Sequence, residues 1–349
     1  MKHRFETLDG MRGIAALAVF GSHVQLARNQ GGWFGQGALA VDFFFLLSGI
    51  VIGAAYERRL ATGLPLASYA RIRLARLYPM IVAGALLGLA VAMVTAARFN
   101  PWAVLPFQLA FVPFFFVVGG DAPMFPLNPV QWSLFFELFV NAAHAITRSV
   151  LTTPRLVAVT LVSAAALALA VNSFGAAGVG FDRASFWAGF PRVVFSFSAG
   201  LLTFRLYNAG ALPRIRIPYL LTIALLALVL TLPKPPHVSD MVYVGVAFPA
   251  LLIAALSAVA PDAPRPIAVW AGAISYPLYA VHGPLLTLFV AIIPLQHAQI
   301  ARAIGWAATI PAMIAAAWLV ERYFDAPIRL WLERATPRDD PAVALAPKA

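Results

Sequence analysis

The chain has 349 residues, 61% of them hydrophobic and 11% charged, with no cysteine and a formal net charge of +11. Soluble domains carry roughly 25% charged residues, so a water-soluble fold is excluded, as are disulfides, thiolate nucleophiles and thiolate-held metals. The positive charge does not imply a nucleic-acid partner, because the arginines are dispersed at the ends of apolar segments and no soluble basic domain exists to carry them; orientation in a membrane accounts for them better.

A mean hydropathy of +0.82 arises from recurrent apolar runs of about 17 to 22 residues, each long enough to cross a hydrocarbon core of roughly 30 Å as a helix. The runs predict an all-α integral membrane protein with about ten transmembrane helices, over 11–27, 37–56, 79–97, 130–147, 155–172, 186–206, 216–232, 241–260, 267–293 and 303–323. The first follows a basic start but lacks a small-residue cleavage site and carries Arg12 and His23, so it reads as a retained helix and not a signal peptide. Between the third and fourth spans, segment 101–129 is apolar but interrupted by Pro101, Pro106, Pro113, Pro123, Pro126 and Pro129, which predicts a partly re-entrant loop packed on the outer side. From Thr336 onward the chain is rich in Pro and Ala and is expected to be a disordered tail, leaving 1–335 as one membrane domain. With both termini cytoplasmic, about 18 of the 25 Lys and Arg residues lie inside and about five outside, as the positive-inside rule requires.

Ionisable groups within spans are costly, by about 2.5 to 3.5 kcal/mol on insertion scales, and so are functional candidates by default. Arg12 and His23 stand eleven residues apart on the first span, a rise of about 16 Å and within about 20° of one face; both are expected to point into one crevice. Asp42, about five residues into the antiparallel second span, is expected at the depth of His23, where a carboxylate beside an imidazole fixes its tautomer for general-base work. The competing expectations are an Arg12 that snorkels to headgroups and a purely structural His–Asp pair. Arg73 and Arg76 share a helical face ahead of the third span and suit phosphate recognition, although a basic border is also what membrane orientation alone produces. In the fourth span Trp132 and Ser133 precede Glu137, a candidate for acceptor hydroxyls or for a structural ion pair. Ser275, Tyr279 and His282 lie near one face of the ninth span, a stripe that also serves to tie helices together. No His/carboxylate pattern has metal-site spacing, and neither a phosphate-binding glycine loop nor GxSxG occurs.

Taken in order, these motifs resemble the membrane acyltransferase-3 family, bacterial O-acetylases of surface glycans, over nearly the whole chain. The resemblance rests on Leu8-Asp9-Gly10-Met11-Arg12-Gly13 followed by His23, on Val41-Asp42-Phe43-Phe44-Phe45-Leu46-Leu47-Ser48-Gly49, and on Arg73 and Arg76 before Tyr78-Pro79. It continues through Trp132-Ser133-Leu134 with Glu137, and Ile274-Ser275-Tyr276-Pro277-Leu278-Tyr279 with His282-Gly283-Pro284. It implies a ten-helix fold in the bacterial inner membrane, an acyl-CoA donor such as acetyl-CoA arriving from the cytoplasm, no permanently bound cofactor, and a glycan or glycolipid acceptor. His23 would be catalytic, with Arg12, Arg73 and Arg76 binding the donor or organising the site. Where the family has Glu, any residue, Pro, this chain has Asp325-Ala326-Pro327, a shorter carboxylate that leaves the role of Asp325 open. A small secondary metabolite as acceptor, or a transporter or flippase, are the alternatives; the latter predicts inverted repeats, and the sequence displays none.

Overall fold

The computed structural model describes residues 2–28, 34–95, 97–116, 122–214, 217–235, 237–258, 266–292 and 299–335. The tail from Thr336 lies outside them, as do Arg216 and Arg265. Helix α1 (Lys2–Ala27) is followed by α2 (Gly37–Ala61), α3 (Leu66–Val94) and the short α4 (Pro101–Leu109). Next come α5 (Gln131–Thr147), α6 (Thr153–Phe174), α7 (Gly189–Asn208), α8 (Tyr219–Thr231), α9 (Asp240–Ser257) and α10 (Pro266–Ile292). Last, α11 (Gln299–Val320) continues through a π-helical turn, Glu321–Asp325, into α12 (Ala326–Ala335). Among the described residues there is no β-strand, only an isolated antiparallel bridge between Pro123 and Asp182.

Helices overlie all of the predicted spans, and five of them, α2, α3, α6, α9 and α10, are long and apolar enough to cross a membrane. The chain is therefore a multi-pass membrane protein. Of the others, α5 and α8 have 17 and 13 residues, and α1 and α7 carry charges within their length. Local sequence sets the helix ends. In α6 a proline follows Thr152 in the first turn, where its missing N–H has no helical partner to lose, and Gly175 ends the helix at φ +77°, a left-handed cap that needs no Cβ.

Small residues let particular helices approach closely, as membrane packing without a hydrophobic driving force requires. Gly49 and Gly53 of α2 form a small-xxx-small pair against α7, and a Cβ at Gly200 of α7 would run into the Leu46 carbonyl. On α1, a Cβ at Gly13 would stand 2.6 Å from that of Ala271, and one at Gly272 of α10 would stand 2.6 Å from that of Asp9. These contacts, with His23 beside His282 further along, make α1 and α10 parallel neighbours.

The proline-rich segment differs in part from the loop expected. Its first third is helix α4, started by Asn100, whose side chain accepts from the backbone N–H groups of Trp102 and Ala103. Its last part is buried in protein: Phe125 and Asn128 have no exposed surface. Asn128 donates from Nδ2 to the Ala280 carbonyl at 2.7 Å, the group that Pro284 leaves without its helical N–H partner. Gln131 likewise donates to the Ile81 carbonyl at 2.7 Å and accepts from Gln108 at 2.6 Å. Irregular backbone at membrane depth is tolerated where it is buried in protein, and here the amides of Asn128 and Gln131 tie its end to carbonyls of α10 and α3, with Gln108 holding Gln131.

Candidate active site

A cavity of about 260 Å³ opens among α1, α2, α3, α5, α10 and the π-helical turn. Arg12, Arg73, Arg76, Ser133, Glu137, Ser275, Tyr279 and Asp325 all line it, so most of the residues singled out from the sequence converge on one space. The i, i+3 spacing of Arg73 and Arg76 on α3 turns both guanidinium groups to it. Arg73, buried, donates from Nη2 to Glu137 Oε1 at 2.9 Å, and Ser48 donates to the same oxygen at 3.2 Å. Arg12 lies 3.4 Å from Asp9 across one helical turn. On the π-helical turn, Asp325 pairs with Arg329 Nε at 3.0 Å, so the shorter carboxylate is met by a cation one turn on in its own helix.

Apolar side chains of α2, Val41, Phe44, Phe45 and Leu47, line the same cavity, as does Leu134, while Ser133 and Tyr279 hydrogen-bond to each other at 2.6 Å. The Tyr279 ring packs against His282, 5.6 Å between centroids, and against Phe44 at 5.9 Å. His282 has no exposed surface and its Nε2 is 3.2 Å from His23 Nδ1. His23 is half-buried, and its Nδ1 is also 3.0 Å from the Val19 carbonyl. Charged cavity and histidine pair therefore lie on opposite sides of Tyr279.

Two expectations are corrected. Arg12 and His23 do not open into one crevice: Arg12 lines the cavity and His23 does not, because eleven residues of helix carry His23 past Tyr279. Nor does Asp42 meet His23. Its carboxylate is fully buried and receives Arg192 Nη2 at 2.7 Å, Arg192 Nε at 3.0 Å and Ser196 Oγ at 3.2 Å. Arg192 completes its valence on the carbonyls of Val179 and Ala38 and stacks over Trp132 at 5.1 Å. A carboxylate so occupied is a counter-ion between α2 and α7. The sequence placed Asp42 at a plausible depth but could not choose its neighbour; the signal for Arg192 was that an intramembrane cation and anion each need a partner. Ser48, part of the Val41–Gly49 motif but given no role there, and Arg329 also line the cavity; a juxtamembrane arginine carries no distinguishing pattern. Among the described residues no group of three or more His, Asp or Glu forms a metal-ligand set.

The family model described as "Acyltransferase domain" (Acyl_transf_3) matches residues 5–322. The chain belongs to the acyltransferase-3 family. The match covers every residue of the cavity on α1 to α10 and stops just before Asp325. This acyltransferase is also similar to "Protein 2 in picA locus" of Rhizobium radiobacter, 34% identical over 191 residues, which are 49% of this chain and 96% of that protein. No solved structure matches it.

Proposed function

We propose that the protein is an O-acyltransferase of the bacterial inner membrane that moves an acyl group, acetyl in the simplest case, from acyl-CoA to a hydroxyl of a surface glycan or glycolipid. The observation that carries this is the convergence of Arg12, Arg73 and Arg76 on one cavity, on the far side of whose inner tyrosine stands a half-buried histidine. Guanidinium forks suit the phosphates of such a donor, and the apolar wall suits its uncharged acyl-bearing arm.

In the step proposed, the acceptor oxygen attacks the thioester carbonyl while His23 takes the hydroxyl proton. The new C–O bond forms, the C–S bond breaks, and the imidazolium returns the proton to the departing thiolate, so the histidine ends as it began. Phe44 and Tyr279 line the cavity with their rings 5.9 Å apart, and Tyr279 packs in turn on His282, the ring beside His23.

Mass spectrometry of surface glycans and glycolipids from cells with and without the gene tests the reading directly. Acyl esters that vanish with the gene, and with His23→Ala, are the expected result. An ester missing from a small secreted metabolite instead would move the acceptor to that class, and full acylation by His23→Ala would end the assignment of His23.

A further inference from the structure

We propose that His282 is a positioning residue: its Nε2 accepts the Nδ1–H of His23, which turns the bare Nε2 of His23 toward the acceptor hydroxyl. The inference rests on His23 being the base. It takes over the task that the sequence had suggested for Asp42, which the structure commits to Arg192.

The proton positions follow from the neighbours. His282 Nδ1 is 2.8 Å from the Tyr279 carbonyl and 3.2 Å from that of Leu278. Carbonyl oxygens only accept, so this nitrogen carries a proton. The ring has no exposed surface, and its polar partners are those two carbonyls and His23. Among the described residues no carboxylate bonds to it to offset an imidazolium, whose burial without a counter-charge is costly, so the ring is neutral and its Nε2 is an acceptor. His23 Nδ1 then faces two acceptors, the Val19 carbonyl at 3.0 Å and His282 Nε2 at 3.2 Å, and carries the proton of its own ring. In the neutral His23 that leaves Nε2 as the basic nitrogen.

Val19 lies on the same helix as His23 and moves with it, whereas His282 reaches it from α10, so His282 ties the imidazole to the helix that also bears Tyr279. When His23 takes the acceptor's proton, the Nδ1–H bond into His282 becomes charge-assisted and strengthens. The gain comes only in the charged state, which makes it a kcat effect. A neutral ring does this without a second buried anion. The approach of α1 to α10 at Gly13 and Gly272, and the anchoring of α10 by Asn128 at the Ala280 carbonyl, hold the two rings in register.

The test uses native membranes supplied with radiolabelled acetyl-CoA, and histidine-labelled full-length protein in lipid nanodiscs. His282→Leu should lower kcat by about 10- to 100-fold with KM for acetyl-CoA little changed, while His282→Gln, whose amide oxygen accepts the same N–H, should recover most of the rate. In the unaltered protein, nitrogen-15 spectra should find His23 protonated on Nδ1, with a coupling to His282 Nε2 across the hydrogen bond. Equal rates for the Leu and Gln variants, or a His23 protonated on Nε2 alone, would overturn the proposal; the spectra decide even if His282→Leu fails to fold. An inactive His23→Ala beside an undiminished His282→Leu would remove the role of His282 alone, whereas an active His23→Ala would remove the acyl-transfer assignment beneath it.

Discussion

Asp42 and Arg192 are 0% and 1% exposed, and each answers for the other's charge in a region where water cannot. Removing one partner of a buried pair costs about 3 to 5 kcal/mol because the other is left uncompensated. Asp42→Ala should therefore lower the thermal midpoint and the yield of folded protein. Asp42→Leu combined with Arg192→Met should be milder than the sum of the single changes, and the thermal midpoints of the three variants in one detergent measure it. Had Asp42 oriented His23, the double change would abolish transfer however well it folded. At this scale the sequence was legible in kind but not in pairing. Arg12, Asp42, Glu137, Arg192 and His282 each stand out as ionisable residues in apolar runs, yet which meets which depends on helix neighbours that one-dimensional depth does not fix.

Contacts between elements are governed by what is absent. At Gly13 a Cβ would sit 2.6 Å from that of Ala271, so Gly13→Leu forces α1 from α10 or strains both. Overpacking of this kind costs about 1 to 3 kcal/mol. The expected outcome is loss of acyl transfer greater than loss of fold, because the same two helices carry His23 and His282; label transfer compared with thermal midpoint separates the two. Gly178, whose added Cβ would meet nothing, serves as the control and should tolerate alanine. The proline-rich segment is the element where composition misled. Its prolines argued for a loop, and much of it is irregular, but Asn100 starts a helix there and Asn128 and Gln131 draw its end into the protein, partners that propensity cannot foresee.

For the whole molecule, the distribution of basic residues and the arginines of the cavity, which stand among as many carboxylates, point to the same side. Arg73 and Arg76 belong to the arginine-rich start of α3, and they line the cavity with Arg12, Glu321 and Arg329. We expect both termini on that side, in the cytoplasm, where the donor proposed above would arrive. A reporter fused at Ala349 should be active only inside the cell, and external activity would invert this orientation. Arg76→Ala should weaken acetyl-CoA binding by about tenfold or more, given roughly 1.5 to 3 kcal/mol for a hydrogen bond to a charged group. It is a cleaner probe than Arg73→Ala, which also strips Glu137 of its partner. Unchanged binding in both variants would take the donor site elsewhere.

Composition and hydropathy were enough to determine the solvent, the helical class, nearly all the helix positions and, through the ordered motifs, the family. These are properties of runs and spacings along one chain, and lipid enforces them strictly because every backbone polar group needs an internal partner. Tertiary structure alone decided the pairings: Asp42 with Arg192, Arg73 with Glu137, and His23 with His282, the last from residues 259 positions apart. The reason is that a helix presents a polar residue at a depth and on a face, but its partner is chosen by which helix packs against that face. Here that choice lies with glycines at Gly13, Gly49, Gly200 and Gly272, whose missing side chains carry no chemical signal of their own.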